Sequence, residues 1–100
     1  MAVEASRHTD MCVGHDNCPN TTVTTHAKKT YIGGLLAARI GDECDIHGCD
    51  IHTPHVRHIS EGYSKVIIEG KEAAFNGSAI DCGGAVVQGH NKTFYKAKGE

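Results

Sequence analysis

The chain contains no run of basic residues, no apolar stretch near the ~20 residues that a membrane-spanning helix needs, and no helical period sustained over three turns. Each absence removes a class. With a net charge of −2 at neutral pH, histidines uncharged, there is no general attraction to nucleic acid or to an anionic membrane. The first ten residues, MAVEASRHTD, have neither a basic n-region nor an apolar h-region, so Sec-type export is not expected. The expectation is synthesis in a cytoplasm and another route out. No Gly-rich phosphate loop followed by Lys-Ser/Thr is present, and no nucleophile elbow. Leu, Ile, Val and Phe together number only 19 in 100 residues, near the level where disorder begins. The low net charge argues against disorder. What remains is one folded domain over residues 1–100 with a thin core, a type that usually needs a metal, disulfides or a partner as a staple.

Cysteine and histidine are what the chain does have. There are five cysteines, an odd number, and eight histidines. Residues 41–58, GDECDIHGCDIHTPHVRH, hold two of those cysteines and four of those histidines. In a cytoplasmic product, thiols near imidazoles read as metal ligands before disulfides. GLLAARIGDE (34–43) is long enough for two helical turns at most. Elsewhere glycines separate short β-branched and aromatic runs: KTYI (29–32), SKVII (64–68), AVVQ (85–88) and KTFY (92–95). Short strands between glycine turns predict an all-β domain.

The chain also repeats itself. RHTDMCVGH (7–15) aligns with RIGDECDIH (39–47) at an offset of 32, matching Arg, Asp, Cys and His. KTYIGGLLAARIGD (29–42) aligns with KVIIEGKEAAFNGS (65–78) at an offset of 36, and KTFYK (92–96) opens a third copy. Three short units cannot each bury a core. Stacked about one axis they can, with pseudo-threefold symmetry, and their turns then converge at one end.

AARIGDECDIHG (37–48) resembles the Ala-Arg-x-Gly-Asp segment of the PAAR-repeat proteins, with Leu36 where proline is usual. EAAFNGSAIDCGG (72–84) resembles a second copy, with Glu72, Phe75 and Ser78 in place of Pro, Arg and Asp. EGYSKVIIEGKEAA (61–74) and QGHNKTFYK (88–96) resemble the family's strand segments, with Tyr63 and Glu69 departing from the first of them. The likeness spans about residues 7–96. It implies a small cone of short β-strands with a metal-stapled apex. It further implies a spike-tip protein capping the trimeric β-helical spike of a contractile phage tail or type VI secretion system, one tip per trimer. Such a tip is assembled into the virion tail or secretion spike. It pierces the target membrane transiently and is delivered through the target envelope. No effector segment follows the last strand, so the resemblance implies a bare tip.

The same resemblance implies a structural zinc held by three histidines and one cysteine. Carried over by position, these are His15, His47, His52 and Cys82, with His55 as competitor for His52. His58, next to Ile59, is a weaker candidate. Cys12-Val-Gly-His15 and Cys44-Asp-Ile-His47 offer another set, a Cys2His2 site. With oxygen ligands scarce, zinc fits first and iron second, ahead of calcium or magnesium. Cys18 and Cys49 read as small buried apolar residues, or as a disulfide formed in an oxidising space. His8, His26 and His90 read as surface residues, and Asp42 as a turn brace. No enzymatic activity and no small-molecule substrate are expected, because a closed four-ligand site leaves no coordination position and a small cone little room for a pocket. The rival reading is a free-standing zinc-binding module or adaptor.

Overall fold

Three copies of one turn organise the chain. Arg7 N–H donates to Asp10 Oδ2 at 2.8 Å, and Arg39 N–H to Asp42 Oδ2 at 2.7 Å. Phe75 N–H donates to Ser78 Oγ at 2.9 Å. Each turn is closed in the other direction by a backbone bond, from Asp10, Asp42 and Ser78 N–H to the carbonyls of Arg7, Arg39 and Phe75. A short side-chain oxygen three residues on is the acceptor such a turn needs. In the first two copies the carboxylate also holds its own arginine through two side-chain bonds, Nε–Oδ2 at 3.2 Å in both, with Nη2–Oδ1 at 3.0 Å for Arg7 and 3.2 Å for Arg39.

The computed structural model describes residues 2–13, 21–49, 52–81 and 83–96, and of residues 46–49 and 52–56 only the backbone. The strands are β1 (Val3–Ala5), β2 (Met11–Val13), β3 (Thr21–Thr22), β4 (Tyr31–Ile32), β5 (Leu35–Leu36), β6 (Glu43–Cys49), β7 (His52–His58), β8 (Tyr63–Ile68), β9 (Lys71–Ala73), β10 (Ala85–Val86) and β11 (His90–Tyr95). All strand pairings are antiparallel and no helix occurs among the described residues, so the all-β expectation holds. GLLAARIGDE forms no helical turns. Its backbone groups serve partners distant in sequence: Ala37 N–H donates to Thr30 O at 2.8 Å and Ala38 N–H to Ser6 O at 3.0 Å.

Three equivalent ribbons recur. β4 pairs with β5 (Tyr31↔Leu36, Ile32↔Leu35), β8 with β9 (Ile67↔Glu72, Ile68↔Lys71) and β11 with β1 (Phe94↔Glu4, Tyr95↔Val3). The third ribbon is completed by segments from opposite ends of the sequence.

The units are sewn together by closed rings of backbone hydrogen bonds. Ser6 donates to Ala74 at 3.1 Å, Ala74 to Ala38 at 3.0 Å, and Ala38 to Ser6 at 3.0 Å. His8, Ile40 and Asn76 donate in the opposite sense to Leu36, Glu72 and Glu4 at 2.8–2.9 Å. Thr24, Ser60 and Val87 donate to Glu43, Ala79 and Met11 at 2.8–3.0 Å. Three positions bonded head to tail make a pseudo-threefold axis within one chain, as the repeat predicts.

Two apolar layers fill it. One contains Cys12, Cys44 and Ile80 with Val23, Ile59 and Val86. The other contains Ala5, Ala37 and Ala73 with Ile32, Ile68 and Tyr95. Alanine recurs at the crossings because three backbones meet there and leave no room for more. The molecule is elongated, with extents of 46 × 26 × 22 Å.

Candidate functional site

Each unit sends one excursion out of the layer that holds Cys12, Cys44 and Ile80. The first leaves at Cys12 and returns at Thr21, which pair across β2 and β3. The second leaves at Cys44 and returns at Arg57, paired across β6 and β7. The third leaves at Ala79 and returns at Ala85, bridged to each other. The base below them is constant: Val23 to Ile32, Ile59 to Ile68 and Val86 to Tyr95 span the same number of residues. The uneven repeat offsets therefore arise in the excursions alone.

All four proposed ligands fall on these excursions. His15 and Cys82 lie outside the described residues. His47 and His52 lie on β6 and β7, where the register sets His47 opposite His55 and Cys49 opposite His52. The hairpin thus brings three of the four histidines of residues 41–58 to successive rungs. Cys18 also lies outside the described residues. Among the described residues, no group of three or more His, Cys, Asp or Glu side chains is placed to hold a metal, and no pocket is found.

Cys12 and Cys44 are joined in a disulfide, with their Cα atoms 6.5 Å apart. This corrects two expectations. The pair is withdrawn from metal ligation, because a thiolate ligand needs a free sulfur. The Cys2His2 alternative is thereby lost, and at this position a disulfide takes precedence over metal. The physical reason is the axis: equivalent residues close to it meet one another. The third equivalent is Ile80, so Cys82 is not the repeat mate of Cys12 and Cys44.

Arg57 sits directly above this layer and is fully buried. Its guanidinium donates to Thr21 Oγ1, on the neighbouring excursion, and to the Asp45 carbonyl at 3.3 Å. Sequence reasoning passed over it, although a lone arginine two residues before a core isoleucine was a signal. His58 is half-exposed between two carboxylates, Nε2 3.7 Å from Glu43 and Nδ1 3.4 Å from Asp81. It therefore bridges the second and third units at the foot of the excursions. His8, His26 and His90 are half-buried rather than surface groups. His8 and His26 rings approach to 4.8 Å, and the His90 ring lies against Gly33. Asp42 braces its turn as expected, and also accepts from Thr25 Oγ1 at 3.0 Å.

None of the curated proteins compared with the chain matches it. The family model of the PAAR motif matches residues 13–88. The match stops short of Ala5–Asp10 and His90–Tyr95, the segments that close the three-unit ring. With three-quarters of its length matched and its Ala-Ala-Arg-x-Gly-Asp turn at Ala37–Asp42, the chain belongs to the PAAR motif family, structural spike-tip proteins of contractile injection machines.

Proposed function

We propose that this protein caps the blunt end of a trimeric β-helical spike, one tip per trimer, and forms the piercing apex of a phage tail or type VI secretion spike. The carrying observation is the closed ring Ser6–Ala74–Ala38, which gives a single chain the rotational symmetry of a trimer. A one-chain cap with that symmetry can cover three equivalent strand edges at once, and exposed edges are a liability in any β-structure. The role is mechanical, not enzymatic. The machine supplies the work, and the tip must deliver it to a small area without splaying. The inter-unit hydrogen-bond rings and the Cys12–Cys44 disulfide resist splaying below the apex.

At the apex itself a structural metal would do the same. His15, His47, His52 and Cys82 would hold it, with zinc the fitting ion for a set of three imidazoles and one thiolate. Support comes from the topology, which starts all three excursions from one layer, and from the chemistry of these donors. Zinc would supply a crosslink between excursions that are too short to bury a core of their own.

Two experiments test this. Co-expression with the trimeric β-helical spike protein of the same genome should yield a complex with one tip per three spike chains. A monomer indifferent to the spike would instead indicate a free-standing module. Separately, elemental analysis should find about one zinc per chain, and a strong chelator should lower the melting temperature. His47→Ala and Cys82→Ser should lose the metal. Comparing His52→Ala with His55→Ala decides which of these two completes the set. An apo-protein with an unchanged melt would remove the metal from the account.

A further inference from the structure

The three ribbons carry the same outward pattern. Tyr31, Ile67 and Phe94 occupy equivalent positions, each one residue before the buried Ile32, Ile68 or Tyr95. They are 64%, 60% and 52% exposed, high values for large apolar side chains in a protein with so few of them. Two residues earlier in each unit stand Lys29, Lys65 and Lys92, all exposed. Single exposed apolar residues are ordinary. Three at symmetry-equivalent positions, each preceded by its own lysine, form a ring about the axis.

Charge is distributed unevenly along the molecule. Lys28, Lys29, Lys65, Lys71, Lys92 and Lys96 all lie on or beside the ribbons, against Glu4, Glu69 and Glu72. The described aspartates, Asp10, Asp42, Asp45 and Asp81, lie at the turns and the starts of the excursions. Glu69 is already held by the Lys28 and Lys29 amides, and Glu4 by Asn76. Glu72 stands opposite Ile67. Lys29, Lys65 and Lys92 recur in all three units, whereas the position of Glu4 and Glu72 is taken by Leu36 in the first ribbon, so lysine is the ribbon charge with threefold repetition.

We infer that this ring is the docking epitope for a threefold protein partner whose contact surface repeats an apolar socket with a carboxylate beside it. The socket takes Tyr31, Ile67 or Phe94. The carboxylate lies beside it, within reach of Lys29, Lys65 or Lys92. Charge complementarity selects this occupant. A second copy of the chain would set lysine ring against lysine ring, which costs affinity. This rests on the spike-cap reading above and adds the chemistry of the spike's end.

The test uses the full chain and the trimeric spike protein of the same genome, with binding measured over a salt series. The variants are Lys29→Glu/Lys65→Glu/Lys92→Glu and Tyr31→Ser/Ile67→Ser/Phe94→Ser. Melting temperatures check that both fold, as exposed positions should allow. The charge-reversed variant should bind at least ~10-fold more weakly at low salt, with the gap closing as the Debye length shrinks. The serine variant should lose binding at every salt concentration. Wild-type binding that neither variant nor salt changes would overturn the epitope and leave the spike-cap reading standing. No binding by wild type would overturn both. Retention on phosphatidylglycerol vesicles together with indifference to the spike would assign the ring to lipid and end the inference.

Discussion

Cys12 and Cys44 are equivalent residues of two successive units, and they are bonded to each other across the pseudo-threefold axis. The crosslink closes a loop of 32 residues in sequence and ties the first unit to the second. A loop of this length implies about 4 kcal/mol of stabilisation through the unfolded chain. Cys12→Val/Cys44→Val, or reduction, should lower the denaturant midpoint accordingly. The third equivalent, Ile80, shows that an apolar side chain fills the site, so the variant should still fold. An unchanged midpoint under reductant would show that the crosslink carries no stability.

Thr9 has φ of 73°, where its equivalents Gly41 and Gly77 have φ of 87° and 114°. A β-branched residue is strained there, and glycine is not. Thr9→Gly should therefore stabilise the protein by about 1 kcal/mol, against the usual cost of a new glycine. The reverse change, Gly41→Thr, should destabilise by about 1–2 kcal/mol. A Cβ at Gly41 would meet only Lys71 Nζ at 3.7 Å, so this loss reports backbone conformation and not crowding. Equilibrium denaturation of both variants gives the signs, and a destabilised Thr9→Gly contradicts the assignment.

The turns also test how a buried ion pair is made optional. The Arg39 and Asp42 side chains are 12% and 3% exposed and hold each other. Asp42→Ala leaves the guanidinium with no carboxylate and should cost about 3–5 kcal/mol. The third unit solves the same position with Phe75 and Ser78. Arg39→Phe/Asp42→Ser copies that solution and should cost less than Asp42→Ala alone. A double-mutant cycle with near-zero coupling would show the pair to be independent.

Much of this fold is legible in the sequence, for a specific reason. The turn is made by its own side chains, so Asp10, Asp42 and Ser78 announce it, and the Lys-led strands recur at the same distance from it. The pairing of Cys12 with Cys44 was hidden by the same repeat. The C-x-x-H spacing draws each cysteine toward its own histidine, Cys12 toward His15 and Cys44 toward His47. The threefold axis that the repeat predicts does the opposite, because residues near a rotation axis touch their mates. The ring of Tyr31, Ile67 and Phe94 was visible in KTYI, KVII and KTFY, but exposure is set by which face turns inward, and four-residue strands do not reveal that. His15 and Cys82 stand on excursions of unequal length, where a repeat gives no register.

Glu69 makes the stability depend on acid. The Lys28 and Lys29 amides, with Thr30 Oγ1, hold its carboxyl down to about 2 from an ordinary 4.5, the amides contributing most. A carboxyl whose folded value is depressed stabilises the fold above its ordinary value. That contribution drains away as pH falls from about 4.5 to about 2. Glu69→Gln should therefore melt below wild type at pH 6, and the two curves should converge by about pH 2. Parallel melting curves over that window would rule out the amide contacts as the cause.

The third ribbon predicts that the order of units along the chain is arbitrary. Tyr95 stands opposite Val3 as Ile32 stands opposite Leu35 and Ile68 opposite Lys71, and the latter two pairs are each closed by a two-residue turn. A Gly-Gly link from Tyr95 to Val3 supplies the missing turn. The chain can then be opened between Gly33 and Gly34, where the first ribbon's turn lies. The permuted protein keeps all three hydrogen-bond rings and should melt within a few degrees of wild type. It should also form the Cys12–Cys44 disulfide, read as a mass loss of two hydrogens per crosslink. A permutant that folds without the crosslink, or that does not fold, would mean that the β1–β11 ribbon is not equivalent to the other two.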